Sequence, residues 1–571
     1  MSHHTEALST GLPNRSASPV KTEKCSQDGE ATSLTGDSRA QVLSNHNELQ
    51  RQVGNRQIQL VAMGASIGTA LFVSIGQALE RAGPAGLLIA FVIQSTMLGM
   101  VNNCMAEMCV YMPVSGGFVR TAGKWVDDAF GFMAGWNFFF YQAITIPFEI
   151  TAITIIISYW RDDIPPAAVC AASIGIYALL NVAAVKVYGE AEFWLSSGKV
   201  CLLLMVFSFI FITMVGGNPQ GDAYGFRYWN NPGPFATYRS NGDSGRFEGF
   251  LDALWSAAFT CVGPEYISLI AAEAKHPHRY LKTAFKMVYW RFCVFYIGSA
   301  LAVGIVVAYN DPTLLKNSSG GSGASSPYVI AMGNMGITVL PDIVNALLVT
   351  SIFSAGNGCT YYATRNLYGM AVAGRAPKIL TKCTKQGVPI YAFAVVMGFP
   401  FLSFLQLSNN SQTVLEWLVK LSTAAIVIDY IVICTTYVFF YRACVAQGLD
   451  RSRLPYKGWF QPWSGYIGAV WMLLVVLCYG YSTLKPFSLK NSLIDYILVL
   501  MMPVLYCGWK VFHKTKLVKP TEADLTWDAL EISAYEEATS GTDKPVGFLR
   551  HLIALFTCGK RKDRDREAEI S

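Results

Sequence analysis

Apolar stretches of about twenty residues or more recur along this chain, and a stretch of that length spans a bilayer as helix. Lipid offers no hydrogen-bond partners, so each such stretch has to satisfy its own backbone, which selects helix over open strands. Twelve candidate spans lie near 57–80, 84–111, 128–160, 165–186, 190–215, 249–273, 281–309, 336–371, 389–407, 412–441, 463–484 and 491–512. Composition agrees: charged residues make up 14% of the 571 residues, against roughly a quarter in soluble globular proteins. The sequence therefore predicts an all-α polytopic membrane protein of about twelve transmembrane helices. The formal charge of +6 sits mostly in loops, which fits a positive-inside bias and suggests no nucleic-acid partner.

Three regions follow. Residues 1–50 are polar, lack the apolar core of a secretory signal, and read as a disordered cytosolic N-tail. Residues 51–515 hold the twelve spans, and 516–571 form a cytosolic C-tail. An even span count puts both termini on one side. With that side cytosolic, internal loops collect Lys and Arg (Arg120, Lys124, Lys275, Arg279, Lys282, Arg375, Lys378, Arg451) and external loops hold few. Lys21 and Lys24 would then be within reach of modifying enzymes, which makes ubiquitin-ligase adaptors candidate partners of the tails. Asn317, in Asn317-Ser318-Ser319, is the external glycosylation candidate. Residues 546–556 read as a short amphipathic helix followed by Cys558 and Lys560-Arg561-Lys562, so Cys558 is the palmitoylation candidate. The cysteines show no metal-ligand spacing and no nucleophile–base pair is visible, so no metal, organic cofactor or catalytic residue is expected.

Two spans are interrupted. The first carries Gly64-Ala65-Ser66-Ile67-Gly68-Thr69, and the sixth carries Cys261-Val262-Gly263-Pro264-Glu265. Small residues four apart serve close helix packing as readily as unwinding at mid-membrane. The sixth span favours unwinding, because Pro removes a backbone donor and Gly removes the β-carbon. Breaks at spans one and six are the expected mark of a five-plus-five inverted repeat with a site at the midplane. Unwinding exposes amides that suit a carboxylate and carbonyls that suit an ammonium, so a zwitterionic amino acid fits. The candidate substrate-binding residues at the breaks are Ser66, Gly68, Thr69 and Ala70 with Cys261 and Gly263.

At these residues a family comes into view. Asn55-Arg56-Gln57-Ile58-Gln59-Leu60-Val61-Ala62-Met63-Gly64, continuing through Ile67-Gly68-Thr69, resembles the first helix of the fungal amino acid permeases. These belong to the amino acid–polyamine–organocation superfamily, whose fold is LeuT-type. Further resemblances recur in order: Gly83-Pro84-Ala85-Gly86-Leu87, Ala106-Glu107-Met108, Pro113-Val114-Ser115-Gly116-Gly117, Gly189-Glu190-Ala191-Glu192-Phe193-Trp194, Gly225-Phe226-Arg227-Tyr228-Trp229 and Ser354-Ala355-Gly356-Asn357. The chain departs from the family pattern at Ala65, Ala70 and Pro264, where Gly, Gly and Thr are usual. The resemblance implies proton-coupled uptake of amino acids at the plasma membrane. The segment at 225–229 resembles the acidic amino acid permeases, whereas Gly263-Pro264-Glu265-Tyr266 resembles the branch linked to general amino acids, carnitine and polyamines. Carnitine or polyamine uptake is therefore an alternative, and a nutrient sensor on the same fold is another.

Ionisable groups within spans are functional candidates because the membrane makes them expensive. Lys199 of span five matches a position where proton-coupled relatives carry a Lys in place of a sodium site, which implies H⁺ as the coupling ion; otherwise it snorkels to an interface. Glu149 of span three could relay protons or bind a substrate ammonium; Glu265, also a proton-coupling and gating candidate, could accept the amides that the sixth-span break frees and move with the gate. Asp429 of span ten would either select cationic substrates or form a structural ion pair, with Lys199 or another base. The resemblance makes Phe259 the aromatic gate over bound substrate.

Overall fold

Long apolar runs leave helix as the regular element here, and the described residues contain no strand. The structure, a computed structural model, describes residues 58–59, 64, 67–161, 163–183, 185–318, 326–384, 388–481, 489–527 and 532. Lys21, Lys24, Ser66 and Cys558 lie outside the described residues; Asn317 falls in a short helix, Pro312–Ser318, but its side chain is not described.

The principal helices are α1 (Ser74–Tyr111), α2 (Gly117–Trp125), α3 (Asp128–Ile157), α4 (Pro166–Ala183), α5 (Val185–Met214), α6 (Gly242–Thr260) and α7 (Pro264–Leu269). After them come α8 (Pro277–Arg291), α9 (Gly298–Val306), α10 (Val339–Val372), α11 (Ile390–Val396), α12 (Ser411–Ala446), α13 (Trp463–Cys478) and α14 (Leu489–His513). Among the described residues, eight helices are long and apolar enough to cross a membrane, and two shorter apolar ones accompany them. The predicted spans map onto these helices with local differences. Spans one and two join in α1 across Gly83, whose backbone (φ 73°, ψ 171°) turns the chain before Pro84. Span six starts earlier than predicted, at Gly242, because polar residues such as Arg246 and Glu248 continue the helix beyond the apolar stretch. Span five also starts earlier, at Val185, since no proline lies between Lys186 and Glu190 and Gly189 alone does not end the helix. Span seven runs through α8 and α9 with a π-helical stretch, Phe292–Ile297, between them. Span nine changes from α11 to a 3₁₀ stretch, Phe399–Leu407.

The interior is organised around α3 and α12, each buried on nearly every side. Both are apolar all round, the pattern of a helix enclosed by others. α10 and α12 pack on α3, and α1 packs on α6, so the two broken spans lie side by side against a central pair. α14 and the 3₁₀ stretch sit at the outside with much of their apolar surface uncovered, as suits contact with lipid.

After α14 the chain folds back along the ends of other helices. Val518 N–H donates to Val126 O (2.9 Å), Trp125 Nε1 to Asp524 O (3.0 Å) and Tyr111 Oη to Leu525 O (2.8 Å). Gln447 Nε2 reaches Ala523 O at 2.6 Å and Pro520 O at 2.9 Å. The Arg120 guanidinium lies 4.4 Å from the Trp527 ring centre. Residues 518–527 are thus part of the folded bundle and not of a free C-tail. At about 1 kcal/mol per net hydrogen bond, their loss costs several kcal/mol, a large part of a typical folding free energy. A chain that stops after Leu517 should therefore melt several degrees lower in detergent than one that stops after Ile532. Equal melting temperatures for the two truncations would show that the docked segment contributes nothing.

Candidate functional site

In the first span Gly64 is helical, Ile67 bends, and Gly68 is extended (φ −114°, ψ −177°). Thr69–Leu71 then form one 3₁₀ turn before α1 begins at Ser74. Helix interrupted here leaves carbonyls without their usual partners. One of them is capped from another span: Lys199 Nζ donates to Gly64 O at 2.7 Å. Lys199 is almost fully buried, so it does not snorkel to a surface.

The sixth span parts between α6 and α7. Cys261 is extended (φ −84°, ψ 98°) and Gly263 adopts φ 148°, ψ −38°, a conformation that favours glycine. Pro264 opens α7 at its first position, where its missing N–H costs nothing. Four of the freed groups, Cys261 O, Val262 N–H, Val262 O and Gly263 N–H, find partners. Tyr296 Oη donates to Val262 O (2.6 Å) and accepts from Val262 N–H (3.2 Å). Gly263 N–H donates to both carboxylate oxygens of Glu265 (3.3 and 3.2 Å). Tyr430 Oη lies 3.4 Å from Cys261 O and 3.3 Å from Glu265 Oε2, serving both. Left unpaired, four such groups at about 1–3 kcal/mol each would consume most of a typical folding free energy. The break is stable because of these partners.

Between the two breaks lies a cavity. Gly64, Gly68, Thr69, Ala70 and Leu71 line it from span one, and Phe259, Thr260, Val262 and Tyr266 from span six. α3 adds Tyr141, Thr145, Phe148 and Glu149, positions that share one helix face. Lys199 comes from α5, and α10 contributes Ser354, Ala355, Gly358, Cys359 and Tyr362. Thr69 Oγ1 donates to Glu149 Oε2, which ties the first break to α3. Phe148 and Phe259 meet edge to face (5.2 Å, 88°), closing one side. Tyr141 and Tyr266 share a hydrogen bond (3.2 Å), and Tyr266 lies against Tyr362 (5.3 Å). The space offers two ionisable side chains of opposite sign, freed backbone, and five aromatic rings.

Gly68, Thr69, Ala70, Phe259, Lys199 and Glu149 converge on this cavity. Cys261 and Gly263 shape the sixth-span break without lining the space, and Glu265 stands behind it. Asp429 is buried on α12. It is not in the cavity lining, and among the described residues its carboxyl meets an amide and no base. Its Oδ1 accepts from Asn137 Nδ2 at 2.9 Å, and the same amide donates to Ala425 O at 2.7 Å. Lys199 is engaged with Gly64 and faces Glu149. Sequence reasoning missed Tyr141, Thr145, Phe148, Tyr266 and the α10 wall. The signal was there in the helical face 141–145–148 that ends beside Glu149, and in the run of small residues 354, 355 and 358 followed by Tyr362.

The amino acid permease family model matches residues 57–520. The general amino acid permease AGP2 of Saccharomyces cerevisiae is 43% identical, covering 89% of this chain and 87% of that protein. The dicarboxylic amino acid permease of the same yeast is 34% identical over 84% of this chain and 80% of its own length. Its lysine-specific permease is 35% identical over 85% and 80%. Among solved structures, a manganese transporter of Eremococcus coleocola aligns over 84% of this chain and 94% of its own, at 14% identity and a TM-score of 0.49.

Two outcomes follow from the geometry. Tyr296→Phe strands Val262 N–H and C=O together, so it should destabilise the purified protein by about 2 kcal/mol or more. A melting temperature equal to wild type would mean that another group, such as water, takes over. Asp429→Asn should leave the uptake ratio of a cationic to an acidic substrate unchanged when normalised to surface protein, because the side chain does not reach the cavity. A shifted ratio would place Asp429 in contact with substrate.

Proposed function

The chain belongs to the amino acid permease family, and from that premise we propose that it imports amino acids across the plasma membrane by alternating access, driven by the proton gradient. It is a multi-pass membrane protein, and the Lys and Arg bias of its loops supports cytosolic termini. The observation that carries the reading is the 2.7 Å bond from Lys199 Nζ to Gly64 O. It joins a titratable group directly to a broken helix, so a change of protonation alters what holds that helix in place. Glu149, tied to Thr69 on the same break, is the second group through which a proton acts.

Substrate lies between the breaks in this reading. Its carboxylate faces the backbone around Gly68–Ala70, its ammonium faces freed carbonyls, and its side chain rests among the aromatic rings. Gly68 is suited to this contact, because a β-carbon built there meets nothing within 4 Å and would project into open space. Closure then consists of Phe259 and Phe148 holding the bound molecule while Lys199 and Glu149 adjust the first break. The relatives' names span general, dicarboxylic and lysine transport, so family membership alone does not select a side chain. The aromatic walls favour one second reading, uptake of an organic cation such as carnitine or a polyamine, since ring faces attract ammonium groups. The tails, with Lys21 and Lys24, remain candidate docking sites for ubiquitin-ligase adaptors, and Asn317 and Cys558 candidate modification sites.

Competition among labelled glutamate, neutral and basic amino acids, carnitine and spermidine, in cells lacking their own transporters, tests the substrate class. Collapse of accumulation by a protonophore is the expected result, and uptake that requires Na⁺ would overturn the coupling. Lys199→Ala removes a charged hydrogen bond of about 1.5–3 kcal/mol, so uptake per surface molecule should fall roughly tenfold to a hundredfold. Gly68→Leu should abolish uptake while the protein still reaches the surface; full uptake would remove Gly68 from the substrate path.

A further inference from the structure

Tyr177 of α4 lies outside the cavity lining, and it is fully buried. Its hydroxyl has no hydrogen-bond partner among the described residues. A buried phenol without a partner is unfavourable, and such a group calls for an explanation in another state of the molecule. Its ring is held in place by Phe353, 4.9 Å away and inclined by 37°. The titratable side chains near its hydroxyl are Glu149 and Cys359.

Of these, Glu149 is the one that carries a proton in the proposed cycle. Its side chain and that of Tyr177 meet across Gly356 of α10, where no β-carbon intervenes. A β-carbon built on Gly356 would overlap the Tyr177 hydroxyl and lie 3.2 Å from Glu149 Cβ. Tyr177 therefore occupies the space that any side chain at 356 would take, and it brings its hydroxyl beside the Glu149 side chain. Among the described residues, Glu149 receives a hydrogen bond from Thr69 Oγ1. An ionised carboxylate offers about four acceptor sites, so it gains from a second donor, which a neutral carboxyl needs less. Among the described side chains, the titratable groups facing the pair are Lys199 from α5 and Cys359 from α10. The 3₁₀ stretch Phe399–Leu407, also packed on α4, brings no charged residue.

We propose that Tyr177 is a positioning residue for Glu149: its hydroxyl is the donor that the carboxylate takes up on releasing its proton, so Tyr177 sets the pH at which Glu149 works in transport. The inference rests on the proton-coupled reading of Glu149 given above. Its sign is determined. A hydrogen bond to the charged form favours that form, so removing the donor keeps Glu149 protonated to higher pH.

Tyr177→Phe keeps the ring and its packing on Phe353 and deletes one oxygen. Initial uptake rates across a pH series, normalised to surface protein, should show the falling limb moved upward by about one pH unit, with KM unchanged at the optimum. In the background of Glu149→Gln the same change should have no further effect on the pH profile. Gly356→Ala, which pushes the hydroxyl away from Glu149, should shift the profile in the same direction and carries the test if Tyr177→Phe fails to reach the surface. Wild-type uptake that follows the proton gradient, combined with an unshifted profile in whichever variant is measured, would overturn the inference and leave the proton-coupled reading standing. Wild-type uptake indifferent to pH and to a protonophore would overturn that reading and the inference together.

Discussion

A bilayer gives a broken helix nothing to bond with, and the rest of this structure is arranged around that constraint. Each carbonyl and amide freed at the breaks has to be met by another part of the protein, and the partners differ between the two sites. The sixth-span break is closed by Tyr296, Tyr430 and Glu265, two phenols and the carboxylate of the next half-helix. The first is capped at Gly64 by the ammonium of Lys199 and tied at Thr69 to the carboxylate of Glu149. One break is thus pinned by two phenols together with a carboxylate, and the other by an ammonium and a carboxylate that both line the cavity. That asymmetry makes the first span the natural point for a proton to act on the geometry of the cavity.

The links that hold the broken spans at their ends are graded in strength. At the end of α1 near residue 81, Arg81 pairs with Asp252 of α6 (3.0 Å) and Glu416 of α12 (3.5 Å), and these groups are partly exposed. Pairs that still reach solvent are held less tightly than one with a fully buried partner, so they part and re-form at lower cost. The pair between Glu107 and Arg451 is different. Glu107 is fully buried, Arg451 meets both of its oxygens at 2.7 and 2.8 Å, and Gly458 N–H donates to it as well at 2.8 Å. Removing one partner from a buried pair typically costs about 3–5 kcal/mol. A transport cycle that parted this latch would work against that cost at every turn, whereas the partly solvated Arg81 cluster opens at lower cost. The economical division is therefore a lasting join between α1 and the loop before α13, with reversible contact between α1, α6 and α12 at the other end.

Much of this was legible in the residues. Apolar length located the spans, and Gly-Pro in span six located a break, because both follow from backbone chemistry that any lipid-embedded helix obeys. Lys199 and Glu149 were legible through the cost of burying charge. The cavity walls were less so. Tyr141, Phe148, Tyr266 and Tyr362 look in sequence like any aromatic on an apolar helix, and only the packing of α3, α7 and α10 around the breaks separates them from core residues. The boundaries of span five shifted for a related reason: with no proline or turn pair between Lys186 and Glu190, helix continued through a stretch whose hydropathy alone suggested a loop.

Asp429 shows how a carboxyl deep in a span can be engaged by a neighbouring helix. Its neighbours Ile426, Val427, Ile428 and Tyr430 belong to a helix that is enclosed on nearly all sides, so an inward-facing residue there can meet a neighbouring helix instead of the cavity. Asn137 of α3 supplies the meeting. One N–H of its amide goes to Ala425 O and the other to Asp429 Oδ1, so a single side chain spans the backbone and the carboxyl of α12. The arrangement is a polar cross-link between the two central helices, in a place where apolar packing alone would leave their rotation poorly specified. A base at the same point would have made Asp429 an ion pair, and an open space would have made it a selectivity group. What decides among the three is the residue opposite, and span ten does not contain it.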